Sequence, residues 1–181
     1  MNLLYFDRGA TVSDPDFVYK FVFLGDSGVG KTSLVQRYVY DSMDPDIGRT
    51  IGAILHVKTV RLDDTHYKLI CWDIAGQESF RQMRMQYCAN ASGAFFVFDR
   101  TRPETLGSID GWLESLYSST GKVPVVVLEN KIDLDPAVSM EDVKREIEKR
   151  GLRFVQTSAT EGRNVNQAFE ELVRSARSRK S

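Results

Sequence analysis

One stretch restricts the possible folds more than any other: Gly25-Asp26-Ser27-Gly28-Val29-Gly30-Lys31-Thr32. It has the form Gly, any four residues, Gly-Lys-Thr, and it can cradle a phosphate only with a strand before it and a helix after it. Both flanks comply. Phe17 to Leu24 is rich in apolar and β-branched residues (Val18, Phe21, Val22, Phe23, Leu24), and Thr32 to Tyr40 places Leu34 and Tyr38 four apart on one helical face. The glycines let the backbone curl so that N–H groups face an anion, and the start of the following helix adds its positive dipole end. Lys31 is a compact cation within reach of the β- and γ-phosphates, and the Thr32 hydroxyl can ligate Mg2+. Asp26 to Ser33 are therefore candidate nucleotide-binding residues. The plain alternative is a glycine-rich turn that binds nothing. The loop alone does not say which nucleotide it would hold.

The rest of the chain is sized for one domain. Its 181 residues, 42% hydrophobic, can bury a real core, and a formal net charge of −1 lacks the basic footprint of a nucleic-acid binder. No apolar run approaches the roughly 18 residues of a membrane span, and Leu3-Leu4-Tyr5-Phe6 is too short for a signal-peptide core. Cys71 and Cys88 are the only cysteines; with no Cys-x-x-Cys they read as reduced thiols, Cys71 as a buried one. His56 and His66 lack ligand-like neighbours and read as strand or turn residues.

In order, residues 1–16 form a lead-in expected to be flexible, residues 17–175 the domain, and residues 176–181 a basic tail. Asp41 to Thr50 reads as a surface loop. His56 to Leu62 and Tyr67 to Trp72 read as a hairpin turning at Asp63-Asp64. Phe80 to Asn90 reads as a weakly amphipathic helix. Ala94 to Phe98 and Pro124 to Leu128 are wholly apolar, as strands buried on both faces are. Thr101 with Glu104 suggests a capping box opening a helix through Leu116; Ser139 with Asp142 is a variant of it, with Gly151 stopping that helix. Arg153 to Thr157 is the last strand, and Asn164 with Gln167 opens the last helix. The expectation is an α/β three-layer phosphate-loop fold, with a six-stranded, mostly parallel sheet, one antiparallel edge strand and five helices. Ligands in such sheets sit beyond the carboxyl ends of the strands, where every motif here falls.

Two more motifs carry chemistry. Asp73 in Asp73-Ile74-Ala75-Gly76, after a strand, can bind Mg2+ directly or through water; the plain alternative is an aspartate capping a turn. Asn130-Lys131-Ile132-Asp133 selects a base. A carboxylate accepts two hydrogen bonds, and guanine offers two donors on one edge where adenine has no such pair. Adenine would leave the Asp133 carboxylate unpaired. The Lys131 stem can lie along the base plane.

With these residues in view, the chain resembles the Ras superfamily of small GTPases from about Val18 to Val173. The Ser27 variant of the loop, the run Trp72-Asp73-Ile74-Ala75-Gly76-Gln77-Glu78 and the hairpin length look most like the Rab branch. The resemblance implies roles for residues that look ordinary on their own. Thr50 would ligate Mg2+ and touch the γ-phosphate in the triphosphate state. The Gly76 N–H would meet that phosphate, Gln77 would orient the attacking water, and Lys31 would take up charge on the phosphates. Ser158-Ala159 would close the guanine site, with the Ala159 N–H at the base carbonyl.

The sequence also departs from the family pattern. Met43 stands where an aromatic stacks beside guanine, Ile47 where a tyrosine covers the phosphates, Leu55 for a phenylalanine, Glu129 for a glycine and Thr160 for a lysine. Arg49 is an in-chain candidate for a charge-neutralising arginine. The resemblance implies slow GTP hydrolysis with Mg2+ and a switch between GTP and GDP states in membrane trafficking or intracellular signalling. It also implies effectors at Thr50–Leu55 and Trp72–Tyr87, activating and exchange proteins, and a monomer. The location implied is cytoplasmic. The sequence ends Arg177-Ser178-Arg179-Lys180-Ser181 without the branch's prenylated cysteines: either a lipidated tail was trimmed or the protein works without a lipid, and membrane contact is expected to be peripheral at most. Two alternatives stand beside this reading: a nucleotide-bound scaffold that does not cycle, and an adenylate kinase-type enzyme, which Asp133 disfavours.

Overall fold

The computed structural model describes residues 14–42, 48, 50–76 and 81–179. The lead-in residues 1–13, Met43, Ile47, Arg49, Gln77, Phe80 and the last two residues lie outside that set. The elements are β1 (Phe17–Leu24), α1 (Lys31–Tyr40), β2 (Ala53–Leu62), β3 (Thr65–Ile74), α2 (Arg81–Cys88), β4 (Gly93–Asp99), α3 (Glu104–Gly107), α4 (Ile109–Thr120), β5 (Val125–Asn130), α5 (Met140–Glu148), β6 (Arg153–Gln156) and α6 (Val165–Ser178). The five expected helices are present. One of them is split at Ser108, which sets off the single turn α3 ahead of α4.

The six strands form one sheet in the order β2-β3-β1-β4-β5-β6. Every neighbouring pair is parallel except β2 with β3, so β2 is the antiparallel edge strand. Alternation along β1 divides the core. Tyr19, Phe21 and Phe23 face α1 and α6, meeting Leu34, Tyr38, Phe169 and Leu172. Val22 and Leu24 face the other layer, with Cys88 of α2, Trp112 and Leu116 of α4 and Val143 of α5. β4 is buried at every position, as its unbroken apolar run requires. β1 sits between β3 and β4, the two strands where the chain winds in opposite directions. The crevice beyond its carboxyl end is therefore the topological switch point, and the glycine loop fills it.

The local caps depart from expectation in two places. Ser139 caps α5 by accepting from the Asp142 N–H at 3.1 Å. Thr101, however, makes no cap for α3; its hydroxyl and N–H both donate to Asp99 Oδ1, at 2.7 and 2.9 Å. Asn164 makes no side-chain cap for α6; its amide Nδ2 donates to the Gln156 carbonyl at 2.8 Å. Pro103 rather than Thr101 occupies the N-cap position of α3, and Asn164 is in the left-handed region (φ 58°) instead of the extended conformation from which a side-chain oxygen reaches the N2 or N3 N–H. The lead-in expected to be flexible is tied down at its end, where Asp16 Oδ2 accepts from the His66 N–H at 2.8 Å. Cys71 and Cys88 are buried free thiols. His56 and His66 lie within strands.

Candidate functional site

The loop between β1 and α1 is built on glycines that tolerate no side chain: its own Gly25 and Gly30, and Gly76 just after β3. At Gly25 a Cβ would lie 2.2 Å from the Val97 carbonyl oxygen. Gly30 has φ +98°, and a Cβ there would lie 2.3 Å from Asn130 Nδ2. A Cβ on Gly76 would lie 2.4 Å from the Asp26 carbonyl carbon and 2.5 Å from the Ser27 nitrogen. Backbone thus packs against backbone where β3 runs past the loop. The N-terminus of α1 has no side-chain cap and no acidic residue in its first turn, so its N–H groups and dipole remain available to an anion.

Lys31 is buried, and its ammonium donates to the carbonyls of Gly25 at 2.7 Å and Asp26 at 2.8 Å. Burial lowers its pKa to about 8, against the opposing pull of Asp73 and Asp26. A cation held at this cost beside an open helix terminus is arranged to meet an anionic ligand.

Three oxygen-bearing side chains meet next to it. Thr32 Oγ1 donates to Asp73 Oδ2 at 2.5 Å, Thr50 Oγ1 donates to the same oxygen at 3.2 Å, and the two hydroxyls are 2.8 Å apart. The Asp73 side chain is fully buried, and its Oδ1 has no hydrogen-bond partner among the described residues. Burial raises its pKa, opposed by the Thr32 bond and by Lys31. An unpartnered buried carboxylate oxygen among hard hydroxyl donors fits Mg2+, completed by phosphate and water oxygens. No cluster of three or more His, Cys, Asp or Glu among the described residues offers an alternative cage.

A cleft of about 320 Å³ opens over these groups, lined by Gly28, Lys31, Thr32, Thr50, Gly76 and Lys131 among others. A second, of about 270 Å³, is lined by Asn130, Lys131, Asp133 and Ala159. Gly30, Ser33 and Lys131 line both, so the two are compartments of one groove.

The second compartment has its own scaffold. Asn130 Nδ2 donates to the Val29 carbonyl at 2.9 Å, and Asn130 Oδ1 accepts from the Ala159 N–H at 3.3 Å. Asn130 therefore ties the glycine loop to the segment after β6. Ser158 Oγ donates to Asp133 Oδ1 at 2.6 Å and orients that carboxylate. Arg37 of α1 holds the carbonyls of Ala159 at 2.9 Å and Thr160 at 3.0 Å. Among the sequence candidates, Asp26, Ser27, Gly28, Val29, Gly30, Lys31, Thr32, Ser33, Thr50, Asp73, Gly76, Asn130, Lys131, Asp133, Ser158 and Ala159 all fall along this groove or in the segments that frame it. Gln77 lies outside the described residues.

Sequence reasoning missed several supports. Asp99, buried at the end of β4, accepts from Lys131 Nζ at 2.5 Å and from Arg102 Nε at 3.1 Å. Burial would raise its pKa, but the Lys131 and Thr101 bonds outweigh that and hold it down to about 2. Arg102 also donates to the Ser27 carbonyl at 3.0 Å, so this one carboxylate orders both the base segment and the glycine loop. The available signal was a carboxylate closing an otherwise apolar strand. Trp112 of α4 donates to Asp26 Oδ1 at 3.0 Å, and the Arg84 guanidinium of α2 lies over its ring at 3.6 Å. Nothing in the sequence pairs these three.

The comparisons with known proteins agree with the geometry. The model of the Ras family matches residues 20–178. Ras-related protein RABA4b of Arabidopsis thaliana is 38% identical over 168 residues, covering 91% of this chain and 75% of that protein. Probable Ras-related protein Rab-4A of Echinococcus multilocularis is 36% identical over 163 residues, covering 88% and 73%. Ras-related protein Rab-25 of Homo sapiens is 37% identical over 167 residues, covering 91% and 78%.

Proposed function

The chain belongs to the Ras family and is a Rab-like small GTPase; on that premise we propose that it works as a Mg2+-dependent switch whose groove holds GTP and GDP through the residues described above. One observation carries this reading. Lys31, Thr32, Thr50 and Asp73 meet in a cleft continuous with the one lined by Asn130, Lys131, Asp133 and Ala159. Phosphate chemistry and guanine chemistry are thus side by side in one groove, sharing Gly30, Ser33 and Lys131.

The assigned reaction is GTP plus water to GDP plus phosphate. The water oxygen bonds to the γ-phosphorus while the bond to the β–γ bridging oxygen breaks, and the water's proton leaves with the phosphate products. Lys31 and the loop amides take up charge on the β- and γ-phosphates, and Gln77 aims the water. Thr32, Thr50 and Asp73 would hold Mg2+, which supplies further neutralisation of the phosphate oxygens. Asp133 receives the guanine edge, with Asn130 and Ser158 setting its position. Turnover is slow without an arginine supplied by a second protein, which adds about 10³ to 10⁵ in rate.

The switching elements are Thr50 and Gly76. Both would touch the γ-phosphate, and its loss would release the segments that carry them. Effectors are assigned to Thr50–Leu55 and Trp72–Tyr87, where Ile54 and Leu55 are exposed on the edge strand. Activating and exchange proteins, a monomeric state, and a cytoplasmic place in membrane traffic or signalling complete the proposal. No helix among the described residues is long and apolar enough to cross a membrane, which suits peripheral contact at most.

The test has two parts. Nucleotide extracted from the purified protein should chromatograph as GDP or GTP, and excess GTP but not ATP should displace it. Single-turnover phosphate release should then be slow in the wild type and slower in Gln77→Leu. Displacement by ATP as readily as by GTP refutes the base assignment. Equal, measurable release by the two proteins refutes the role of Gln77, and no release from the wild type over hours favours the non-cycling scaffold.

A further inference from the structure

Glu129 is a carboxylate in the interior of the sheet, on β5 immediately before Asn130, and it is 1% exposed. A buried charge in such a place costs several kcal/mol unless it is paired. Its partners are Gln156, whose Nε2 donates to Oε2 at 2.8 Å, and Arg100, whose Nε forms an ion pair with Oε1 at 3.3 Å without the alignment of a hydrogen bond. Arg100 does more than neutralise it. Its Nη1 donates to the Ile132 carbonyl at 3.0 Å and its own N–H to the Asn130 carbonyl at 3.2 Å. Its carbonyl accepts from the Ala137 N–H at 2.9 Å.

Between those two gripped carbonyls sits Lys131, with φ +66°. An L-residue in the left-handed region is strained by roughly 1–2 kcal/mol, and something must hold it there. On the β6 side the segment is anchored by Ile132 N–H to the Thr157 carbonyl at 3.2 Å and by Ser158 to Asp133. On the β4 side Arg100 spans the strained residue. A buried ion pair rarely adds net stability over apolar residues of the same volume; what a planar five-donor fork supplies is fixed geometry.

We propose that Arg100 and Glu129 are a positioning pair: they hold the Lys131 turn so that Asn130 and Asp133 present their hydrogen-bonding groups to the base edge, and they thereby set selectivity for guanine. Neither residue lines the groove. The inference rests on the nucleotide assignment made above for this same groove and names a determinant of its base specificity.

Inosine diphosphate separates positioning from bulk stability. Inosine lacks the 2-amino group, one of the two donors that face Asp133, so the ratio of its Kd to that of GDP reports that contact alone. General loosening weakens both ligands and leaves the ratio unchanged. The double variant R100M/E129Q removes the ion pair without leaving either charge alone. Its ratio should fall about tenfold below the wild-type ratio, the size of one charge-assisted hydrogen bond. A ratio within about twofold of wild type overturns the proposal, whatever the thermal midpoint does. Should the double variant not fold, Arg100→Lys keeps the cation beside Glu129 but cannot also serve the Ile132 carbonyl as a fork does. Its ratio should fall at least about threefold, and an unchanged ratio is again decisive against the proposal. A wild-type protein that binds neither diphosphate overturns the nucleotide assignment itself, and that outcome is read before any variant is made.

Discussion

Gly30→Ala probes the place where the two compartments share a wall. At φ +98° an alanine carries roughly 1–3 kcal/mol of backbone strain. Its Cβ would also lie 2.3 Å from Asn130 Nδ2, so the amide must retreat by about 1 Å to reach ordinary contact. Asn130 is only 1% exposed, and that retreat breaks its bond to the Val29 carbonyl. A buried donor left unpaired costs about 1–3 kcal/mol more. The sum is about 2–6 kcal/mol, which in a domain of this size lowers the midpoint by about 5–20 °C. Because Asn130 also accepts from the Ala159 N–H, GDP affinity should fall alongside. The assay is thermal unfolding at fixed GDP and Mg2+, with direct titration of GDP into each protein. Gly111→Ala is the matched control: it lies exposed in α4 with nothing within 4 Å of its added Cβ and should gain up to about 1 kcal/mol. If Gly30→Ala melts within about 2 °C of wild type and keeps its GDP affinity, the contact and the reasoning built on it are wrong.

Asp73→Asn should bind GDP with an affinity nearly independent of Mg2+, where wild type tightens as Mg2+ is added; titration in chelator and in excess Mg2+ checks this. Lys31 is expected to impose a pH-dependent penalty on nucleotide-free protein. Its folded pKa, about 8, lies below the unfolded value of 10.5, so the unfolded chain binds more protons between those limits and stability rises with pH there. Relative to Lys31→Met, the wild type should therefore gain no more than about 3 kcal/mol from pH 8 to pH 10.5, and a difference flat with pH in denaturant titrations removes the argument. Burial pushes the Cys71 and Cys88 thiols up to about 12 and about 11. An aromatic disulfide reagent at pH 8 should therefore modify both at the unfolding rate, and rapid labelling of either would contradict their packing.

The parts of this protein that could be read from its sequence are those where chemistry repeats locally. The glycine loop with its flanking strand and helix, the apolar runs of β4 and β5, and the short Asn-Lys-x-Asp segment each carry their pattern in adjacent residues. Element ends were less legible. β2 and β3 extend to Ala53 and Ile74 because those residues pair across the ladder, which composition alone does not reveal. The supports of the site were hidden for the same reason. Glu129 lies opposite Phe98, and Asn130 opposite Asp99, only through the register of β4 with β5. Thr101 and Asn164 have the residue types of caps, but the N-cap of α3 falls two residues after Thr101, at Pro103, and Asn164 takes the left-handed conformation, neither of which composition reveals.

The stacking of Arg84 on Trp112 has an optical consequence. The chain has two tryptophans, Trp72 and Trp112. The first lies 6.0 Å from the Tyr87 ring of α2, and the second lies under the guanidinium that α2 contributes. Both indoles therefore sense the same short helix, Trp72 from β3 and Trp112 from α4 in one layer of the core, and each lies under a cation, Trp112 under Arg84 and Trp72 under Lys20 Nζ at 4.5 Å, a strong local perturbant of an indole's excited state. Intrinsic fluorescence thus follows the displacement of α2 without any label, and replacing Trp72 or Trp112 singly by phenylalanine divides the signal between the edge of the sheet and the glycine loop.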